Sequence, residues 1–190
     1  RKQKTGRYTC SVRTGVAEFD LTTQRFKTLL QGNVDAIYFN EKLYIGKREE
    51  VFVYNESTGN FDLYYHLAGK DITLSCLHLD EKKNLWMGTT SNGLYCLSGD
   101  KKISQPVTRG NIASIYEDSS KELWICTWEE GLYRIKTDGT IENFRHDPKN
   151  PNSICADFVR SCCEDNAGNL WIGTFHGLNR YEKSTGKFQL

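Results

Sequence analysis

Residues whose types suit ligand recognition gather around Trp128 in this chain of 190 residues. Trp128 is followed by two carboxylates, Glu129 and Glu130, and the repeated pattern described below does not require an aromatic residue at its position, where its counterparts are Thr90 and Phe175. An aromatic ring beside carboxylates is a reasonable surface for a sugar ring or for a loop of a partner protein. The alternative is that Trp128 and Phe175 pack beneath a neighbouring loop.

Further polar residues are expected on the same surface as Trp128, because they occupy equivalent loops of the repeat. The candidate ligand-binding residues are Trp128, Glu129, Glu130, Phe175, His176, Arg48 and Asn92. Three histidines, at positions 66, 146 and 176, are expected on this face, but no carboxylate or cysteine accompanies them at ligand spacing, so we predict no metal site. No Ser-His-Asp, phosphate-loop or paired-carboxylate pattern is present, so we predict neither catalytic residues nor a cofactor.

A repeated segment must position these side chains. The segments that begin at Leu85, Leu123 and Leu170 read Leu-Trp-Met-Gly-Thr, Leu-Trp-Ile-Cys-Thr and Leu-Trp-Ile-Gly-Thr, and a more divergent copy begins at Leu43. A period of roughly 40–45 residues with strand-like content is typical of a β-propeller, in which each repeat forms one four-stranded blade.

Each repeat contains four short apolar runs separated by turns rich in Gly, Asn and Asp, which predicts four antiparallel strands, A to D. No window has the spacing of an amphipathic helix, so we expect almost no helix. Because neighbouring strands alternate in direction, the B–C and D–A loops emerge on one face of the blades. These loops differ most between repeats, and they contain the candidate residues, so this face is the predicted recognition surface.

The predicted fold is therefore all-β, with β-propeller blades of four antiparallel strands: about four full blades and a partial one. We expect a single propeller, or part of one, over residues 1–190, with blades at residues 7–30 (partial), 34–66, 73–104, 112–146 and 154–190. A fragment of a larger propeller is favoured over an imperfectly closed ring of about five blades. Open sheet edges would then favour a homodimer or edge-to-edge self-association.

The amino-acid composition limits the classes of partner that the chain is expected to bind. The 25 basic and 24 acidic residues nearly balance, which argues against a nucleic-acid-binding face. The seven cysteines form no CxxC metal pattern and are predicted to be small buried apolar residues. A disulfide or two remains open if the protein is exported.

The pattern resembles a known family, the two-component regulator propeller repeat. The resemblance is strongest at residues 145–190, in the Asp-Pro-Lys-Asn-Pro-Asn-Ser linker at 147–153, the Asn-Leu-Trp-Ile-Gly-Thr run at 169–174 and the Gly-Leu-Asn-Arg-Tyr run at 177–181. It extends more weakly over nearly the whole chain, and at 34–66 the repeat departs from the pattern with Tyr44 in place of Trp and Glu50 in place of Gly.

This resemblance implies a periplasmic sensor region of a Bacteroides-type hybrid two-component system. The parent would be anchored in the inner membrane through parts outside this chain and would carry a histidine kinase domain that is also outside it. Such systems typically respond to glycan-derived oligosaccharides and control genes for polysaccharide utilisation. For this chain the resemblance implies no enzymatic activity, and its partner would be an oligosaccharide or a neighbouring sensor domain.

Two alternatives stay open. One is a protein-interaction propeller without a small-molecule ligand. The other is a glycosidase-like propeller, because the segment from Asp165 to Trp171 loosely resembles the Asp-box turn of sialidase-like propellers. That turn is structural in those proteins, and no arginine set with a Tyr/Glu pair can be assembled from these loops.

Overall fold

The computed structural model describes residues 7–12, 15–39, 41–69, 71–107 and 109–190. The chain divides into two compact units, Arg1–Leu77 and His78–Leu190. All regular elements in the described residues are β-strands, as the sequence predicts. Within these residues there is no helix that could span a membrane.

The first unit contains two antiparallel sheets. Blade 1 has the strand order β1-β2-β3 and blade 2 the order β4-β5-β6-β7. The strands are β1 (Arg7–Val12), β2 (Gly15–Asp20), β3 (Arg25–Gln31), β4 (Ala36–Phe39), β5 (Leu43–Lys47), β6 (Glu50–Asn55) and β7 (Asn60–His66). Buried Val16 of blade 1 packs with Leu43 and Ile45 of blade 2, so the core of this unit lies between the two sheets.

Three further sheets follow along the chain, and the division between the units falls within the first strand of blade 3. Blade 3 has the order β8-β9-β10-β11, blade 4 β12-β13-β14-β15 and blade 5 β16-β17-β18-β19. The strands are β8 (Leu74–Leu79), β9 (Leu85–Thr89), β10 (Leu94–Leu97), β11 (Ile103–Val107), β12 (Ile112–Glu117), β13 (Leu123–Thr127), β14 (Leu132–Ile135), β15 (Ile141–Phe144), β16 (Val159–Glu164), β17 (Leu170–Thr174), β18 (Gly177–Glu182) and β19 (Lys187–Gln189).

The second strand is completely buried in blades 3 and 4. Every residue of β13 is buried, and Trp124 is fully inaccessible to solvent. Its indole contacts Tyr181 of blade 5 edge-on, with ring centroids 5.2 Å apart, and Phe144 stacks against it at 6.0 Å. The core of the second unit therefore includes the interface between blades 4 and 5, as expected for a recurring packing Trp.

The predicted four-stranded antiparallel blades are confirmed, and so is the three-stranded sheet predicted at residues 7–30. In blade 3 the strand β11 continues to Val107, past the predicted end of that blade at residue 104. The segment contains Pro106, which removes a backbone donor and so suggests the end of a strand. Because β11 is the edge strand of its sheet, the missing donor is tolerated.

Candidate functional site

The turn between the first two strands is built in the same way in blades 3, 4 and 5. In each of them the indole Nε1 of the repeated Trp donates a hydrogen bond to an aspartate six residues earlier, at 2.8–2.9 Å. The pairs are Trp86–Asp80, Trp124–Asp118 and Trp171–Asp165. In blade 5 the Trp171 indole, Asn169 and the turn amides all stabilise the charged carboxylate, which lowers the pKa of Asp165 to about 2. This turn, which resembles an Asp box, is therefore a structural element here.

A second repeated element shapes the B–C loops, where the candidate residues lie. The threonine that ends the second strand donates its hydroxyl hydrogen to the carbonyl of the glycine that follows the loop: Thr89 to Gly93 at 2.8 Å, and Thr127 to Gly131 at 2.6 Å. The same hydroxyl oxygen accepts the N–H of the residue before that glycine, such as Glu130, at 2.9 Å. These bonds fix the loop backbone, so the loop side chains project from a defined frame.

Glycine is required at the end of this loop. Gly131 has a φ of +75°, and a Cβ atom there would lie 2.2 Å from the carbonyl oxygen of Phe144. Gly93 repeats this geometry in blade 3, with a φ of +74° and a Cβ position 2.1 Å from the carbonyl oxygen of Val107. The tight approach of the loop to the fourth strand therefore explains the Gly of each Gly-Leu-Tyr run.

Three aromatic side chains form an exposed row on this loop face across blades 4 and 5. The rings of Trp128 and Phe158 are 5.9 Å apart, and those of Phe158 and Phe175 are 6.0 Å apart. They remain accessible: Trp128 and Phe158 are each 39% exposed, and Phe175 is 82% exposed. We call these three residues, together with Arg160, the aromatic shelf.

Arg160 completes the shelf from the first strand of blade 5. Its guanidinium carbon lies 5.2 Å from the centroid of the Trp128 ring, which is cation–π geometry. The pairing of β16 with β17 shifts register between Val159 and Ser161, so Arg160 occupies a bulge. Bulges redirect a side chain, which explains how a strand residue reaches the loop face.

Backbone hydrogen bonds fix the loops that carry the rings. The N–H of Phe175 donates to the carbonyl of Phe158 at 3.0 Å, and the N–H of Trp128 donates to the carbonyl of Asn111 at 3.0 Å. Both acceptors are the residues just before the first strand of their blade. Each ring is thus positioned by the D–A connection of its own blade.

The D–A connection that leads to Phe158 carries the Asp-Pro-Lys-Asn-Pro-Asn-Ser linker. It is organised by its own polar side chains: Ser153 Oγ accepts the N–H of Asp147 at 3.0 Å, and Asn150 Oδ1 accepts the N–H of Asn152 at 3.0 Å. The carbonyl of Asn152 also accepts the N–H of Phe188 in the fourth strand of blade 5. The linker is therefore a fixed loop, and its motif residues are needed for its shape.

The shelf encloses a cleft of about 260 Å³ lined by Trp128, Phe158, Val159, Arg160, Thr174 and Phe175. Ligand pockets usually measure about 300–1,000 Å³. An open cleft just below that range, with apolar walls and one guanidinium, suits a single ring or side chain.

The structure brings only some of the predicted residues together. Trp128, Phe175 and His176 share the shelf region, with the His176 ring 6.0 Å from that of Phe175. Glu129 is exposed in the same loop, whereas the Glu130 carboxylate forms an ion pair with Arg145 at 2.7 Å. Glu130 is therefore engaged in holding the D–A connection.

Asn92 and Arg48 have backbone roles in their own loops. The carbonyl of Asn92 accepts the Gln105 side-chain amide at 2.6 Å, and its N–H donates to Thr89. Arg48, in the first unit, has a φ of +53°, and its N–H donates to Asp35 Oδ2 at 2.6 Å.

The structure agrees in part with each of the two interpretations of Trp128, as a recognition residue and as a packing residue. Its ring contacts Phe158 of the following D–A connection, as the packing alternative expects, yet the residue stays 39% exposed. Phe175 is not covered by any loop of its unit. Trp128 and Phe175 therefore pack against Phe158 at one edge and leave the rest of their rings accessible to a ligand.

Sequence reasoning missed Phe158 and Arg160. Comparison of the repeats offers a signal for both: Phe158 stands where Asn111 precedes the first strand of blade 4, and Arg160 stands where Ala113 follows its first residue. Blade 4 has a polar and a small residue at these two positions. The aromatic and the charged residue in blade 5 therefore distinguish this blade from it.

Among the residues that the structure describes, no group of three His, Cys, Asp or Glu side chains is placed to hold a metal ion. His66 lies 3.7 Å from Glu50 in the first unit, and His146 Nδ1 lies 2.9 Å from the carbonyl oxygen of Ile154 in the second. Each of these two histidines thus has a local partner within its own unit.

Repeated four-stranded blades, the Asp–Trp turns and the structured D–A linker define a β-propeller segment. Residues 153–176 match the model of the two component regulator propeller family, which confirms the predicted resemblance in blade 5. No curated protein matches the sequence.

Solved structures with the same fold include extracellular domains described as parts of two hybrid two component systems from B. thetaiotaomicron. One has a TM-score of 0.78 at 20% identity and covers 93% of this chain and 26% of its own. The other has a TM-score of 0.73 at 24% identity and covers 90% and 24%. This chain thus spans about a quarter of the length of those domains.

A virginiamycin B lyase from Staphylococcus aureus also has this fold, with a TM-score of 0.80 at 14% identity, covering 100% of this chain and 67% of the lyase. At these identities the likeness shows the fold alone, and no catalytic residue is carried over from it.

Proposed function

We propose that this chain is a ligand-sensing, signal-transmitting propeller segment of the extracytoplasmic, periplasmic region of a hybrid two-component sensor histidine kinase. The observation that carries the proposal is the regulator propeller repeat at residues 153–176, whose own loops carry Phe158 and Phe175 of the shelf. The chain itself acts without catalysis, and the kinase and gene-regulating steps belong to other parts of the parent protein.

The ligand class that we propose is a glycan-derived oligosaccharide, through which the parent controls genes for polysaccharide utilisation. Exposed aromatic faces stack against the apolar faces of sugar rings, and Trp128 and Phe175 offer such faces on fixed loops. Arg160 and Glu129 supply polar groups beside them for hydroxyl groups. Binding transmits a signal only if the ligand prefers one arrangement of the sensor over another.

The test is isothermal titration of the chain with a panel of oligosaccharides, comparing Trp128→Ala with the unaltered sequence. We expect binding of at least one saccharide, and a loss of roughly 30-fold in affinity for the variant, because a central aromatic contact is typically worth about 2 kcal/mol. Phe26→Ala is the matched control, since Phe26 is an exposed aromatic residue of the first unit (70%) and lies outside the shelf. Equal affinity of Trp128→Ala and the unaltered chain would contradict the shelf as the site.

A second candidate is a protein-interaction propeller that docks a neighbouring sensor domain. It is favoured by the composition of the shelf, because Trp, Phe and Arg are the residues enriched where protein interfaces concentrate their binding energy. Binding of a purified sensor domain, with no response to any saccharide, identifies this alternative. The same Trp128→Ala variant would then lose the protein partner.

A further inference from the structure

Two cysteines from neighbouring blades meet inside the core of the second unit. Cys126 lies in β13 of blade 4 and is fully buried, and Cys162 lies in β16 of blade 5 and packs against the same cluster. Their Sγ atoms share a hydrogen bond at 3.6 Å. The contact joins residues that are far apart in sequence and belong to different sheets.

Both positions depart from the repeat. The counterparts of Cys126 are Gly88 in blade 3 and Gly173 in blade 5, whereas the counterpart of Cys162 in blade 4 is Ile115. In blade pair 3 and 4 the equivalent positions thus hold a glycine and an isoleucine. Between blades 4 and 5 the same two positions hold cysteines. Cys126 is larger than the glycine at its equivalent position, and Cys162 is smaller than the isoleucine at its own.

Gly46, the counterpart of Cys126 in blade 2, shows how restricted this position is. A Cβ atom there would lie 3.0 Å from side-chain atoms of Ala36 and Leu74. Leu74 is the counterpart of Val159, the first residue of the first strand in blade 5, so a residue larger than glycine at this position has little room. In blade 4 this position holds Cys126, whose Sγ lies 3.6 Å from that of Cys162.

We propose that Cys126 and Cys162 form a disulfide that joins blades 4 and 5 when the protein is in an oxidising environment. The sulphur atoms must approach by about 1.5 Å to reach bonding distance, a shift that side-chain rotation can supply. A low-molecular-weight disulfide is the oxidant: one cysteine thiolate attacks it and releases one thiol, giving a mixed disulfide. The second cysteine thiolate then displaces the other thiol, so two electrons pass from the cysteines to the oxidant.

The buried setting makes the reaction slow but its product durable. The hydrogen bond with Cys126 and burial raise the pKa of the Cys162 thiol, so little thiolate is present at neutral pH. Once formed, the disulfide restrains the unfolded chain across the segment between the two blades. Disulfides persist in oxidising compartments. The inference rests on blade packing and does not depend on the ligand proposed above.

The test incubates the reduced chain with oxidised glutathione, blocks the remaining free thiols by alkylation in denaturant so that buried thiols also react, and maps the peptides without reduction. We expect a linked peptide pair containing Cys126 and Cys162, and a melting temperature roughly 5 °C or more above that of the reduced form. Both changes should reverse with dithiothreitol.

Matched variants identify the linkage. The double variant Cys126→Gly/Cys162→Ile restores the pair of residues found at these positions in blades 3 and 4, so the blades should still fold, and it should abolish the linked pair and the thermal shift. Cys162→Ser keeps the size of the side chain and should do the same. Cys163→Ser changes the adjacent exposed cysteine and should leave both intact. Recovery of Cys126 and Cys162 as free alkylated thiols from the unaltered chain, after incubation to equilibrium with the oxidant, would overturn the proposal. Linkage of Cys162 to a different cysteine would do the same.

Discussion

Asp118 offers the sharpest test of how blades 4 and 5 are held together. Its side chain is fully buried, and Oδ2 accepts hydrogen bonds from Trp124 Nε1 and from Lys183 Nζ, both at 2.9 Å. Oδ1 accepts the backbone N–H groups of Ser120 and Glu122 at 2.9 and 3.0 Å. Burial alone would raise the pKa of Asp118, but the hydrogen bonds from Trp124 and Lys183 outweigh it, and the pKa is lowered.

The cost of Asp118→Ala follows from the donors that it leaves unpaired. The Trp124 indole N–H is fully buried, and an unsatisfied buried donor costs about 1–3 kcal/mol. Lys183 keeps its ion pair with Glu164 at 2.7 Å, so the loss stays below the roughly 3–5 kcal/mol of an orphaned buried charge. With the two turn amides also affected, we expect a loss of about 3 kcal/mol in the free energy of unfolding of the second unit. Asp118→Asn keeps one acceptor oxygen for the turn amides but turns an NH2 donor toward the Trp124 indole and Lys183, so it should cost about 2–3 kcal/mol, close to Asp118→Ala.

The measurement is urea denaturation followed by tryptophan fluorescence, with Asp165→Ala as the control. Asp165 makes the same bond to its own Trp171, at 2.8 Å, but in a more exposed turn where water can replace the lost acceptor. We therefore expect Asp165→Ala to be clearly less destabilising than Asp118→Ala. Equal losses for the two variants would refute the reasoning, because they would show that burial between blades adds nothing to the common turn.

Three further outcomes are expected. Gly131→Ala should destabilise the second unit by roughly 3 kcal/mol or more in urea denaturation, because its Cβ would clash with backbone at a positive φ, whereas Gly139→Ala, with open space around it, should cost about 1 kcal/mol. The folded-state pKa of Asp165 is about 2, which lies below its ordinary value of 3.8. The stability that this carboxylate contributes is therefore complete above pH 4 and should be lost as the pH falls toward 2. Asp165→Asn should flatten that part of a profile of unfolding free energy against pH. Trp128→Phe should lower the iodide quenching of tryptophan fluorescence, since Trp128 is exposed, Trp171 is only partly exposed, and Trp86 and Trp124 are buried. Undiminished quenching would contradict the open shelf.

The sequence alone was sufficient for the blade architecture. The alternation of Leu123, Ile125 and Thr127 with Trp124 and Cys126 identifies a strand covered on both faces, and its recurrence identifies the repeat. The turns were equally predictable, because an Asp six residues before a Trp and a Gly after the B–C loop are local requirements. These turn residues recur at the same positions in the repeats, so comparison of the copies reveals them. The extent of one propeller over the whole chain and its self-association remain predictions.

The composition of the site was only partly predictable. Trp128 and Phe175 were found because they break the repeat within aligned loops, whereas Phe158 and Arg160 join them through a D–A connection and a strand bulge. The engagement of Glu130 by Arg145 likewise depends on how the loop reaches the neighbouring strand.

The sequence therefore determined which strands form and which turns join them, because those depend on neighbours along the chain. The tertiary structure decided which side chains from different blades meet: the Arg160–Trp128 contact, the aromatic row and the Cys126–Cys162 pair. These contacts depend on the register and stacking of whole sheets. A shift of one residue in a strand would turn its side chains to the opposite face, and no short segment encodes that register by itself.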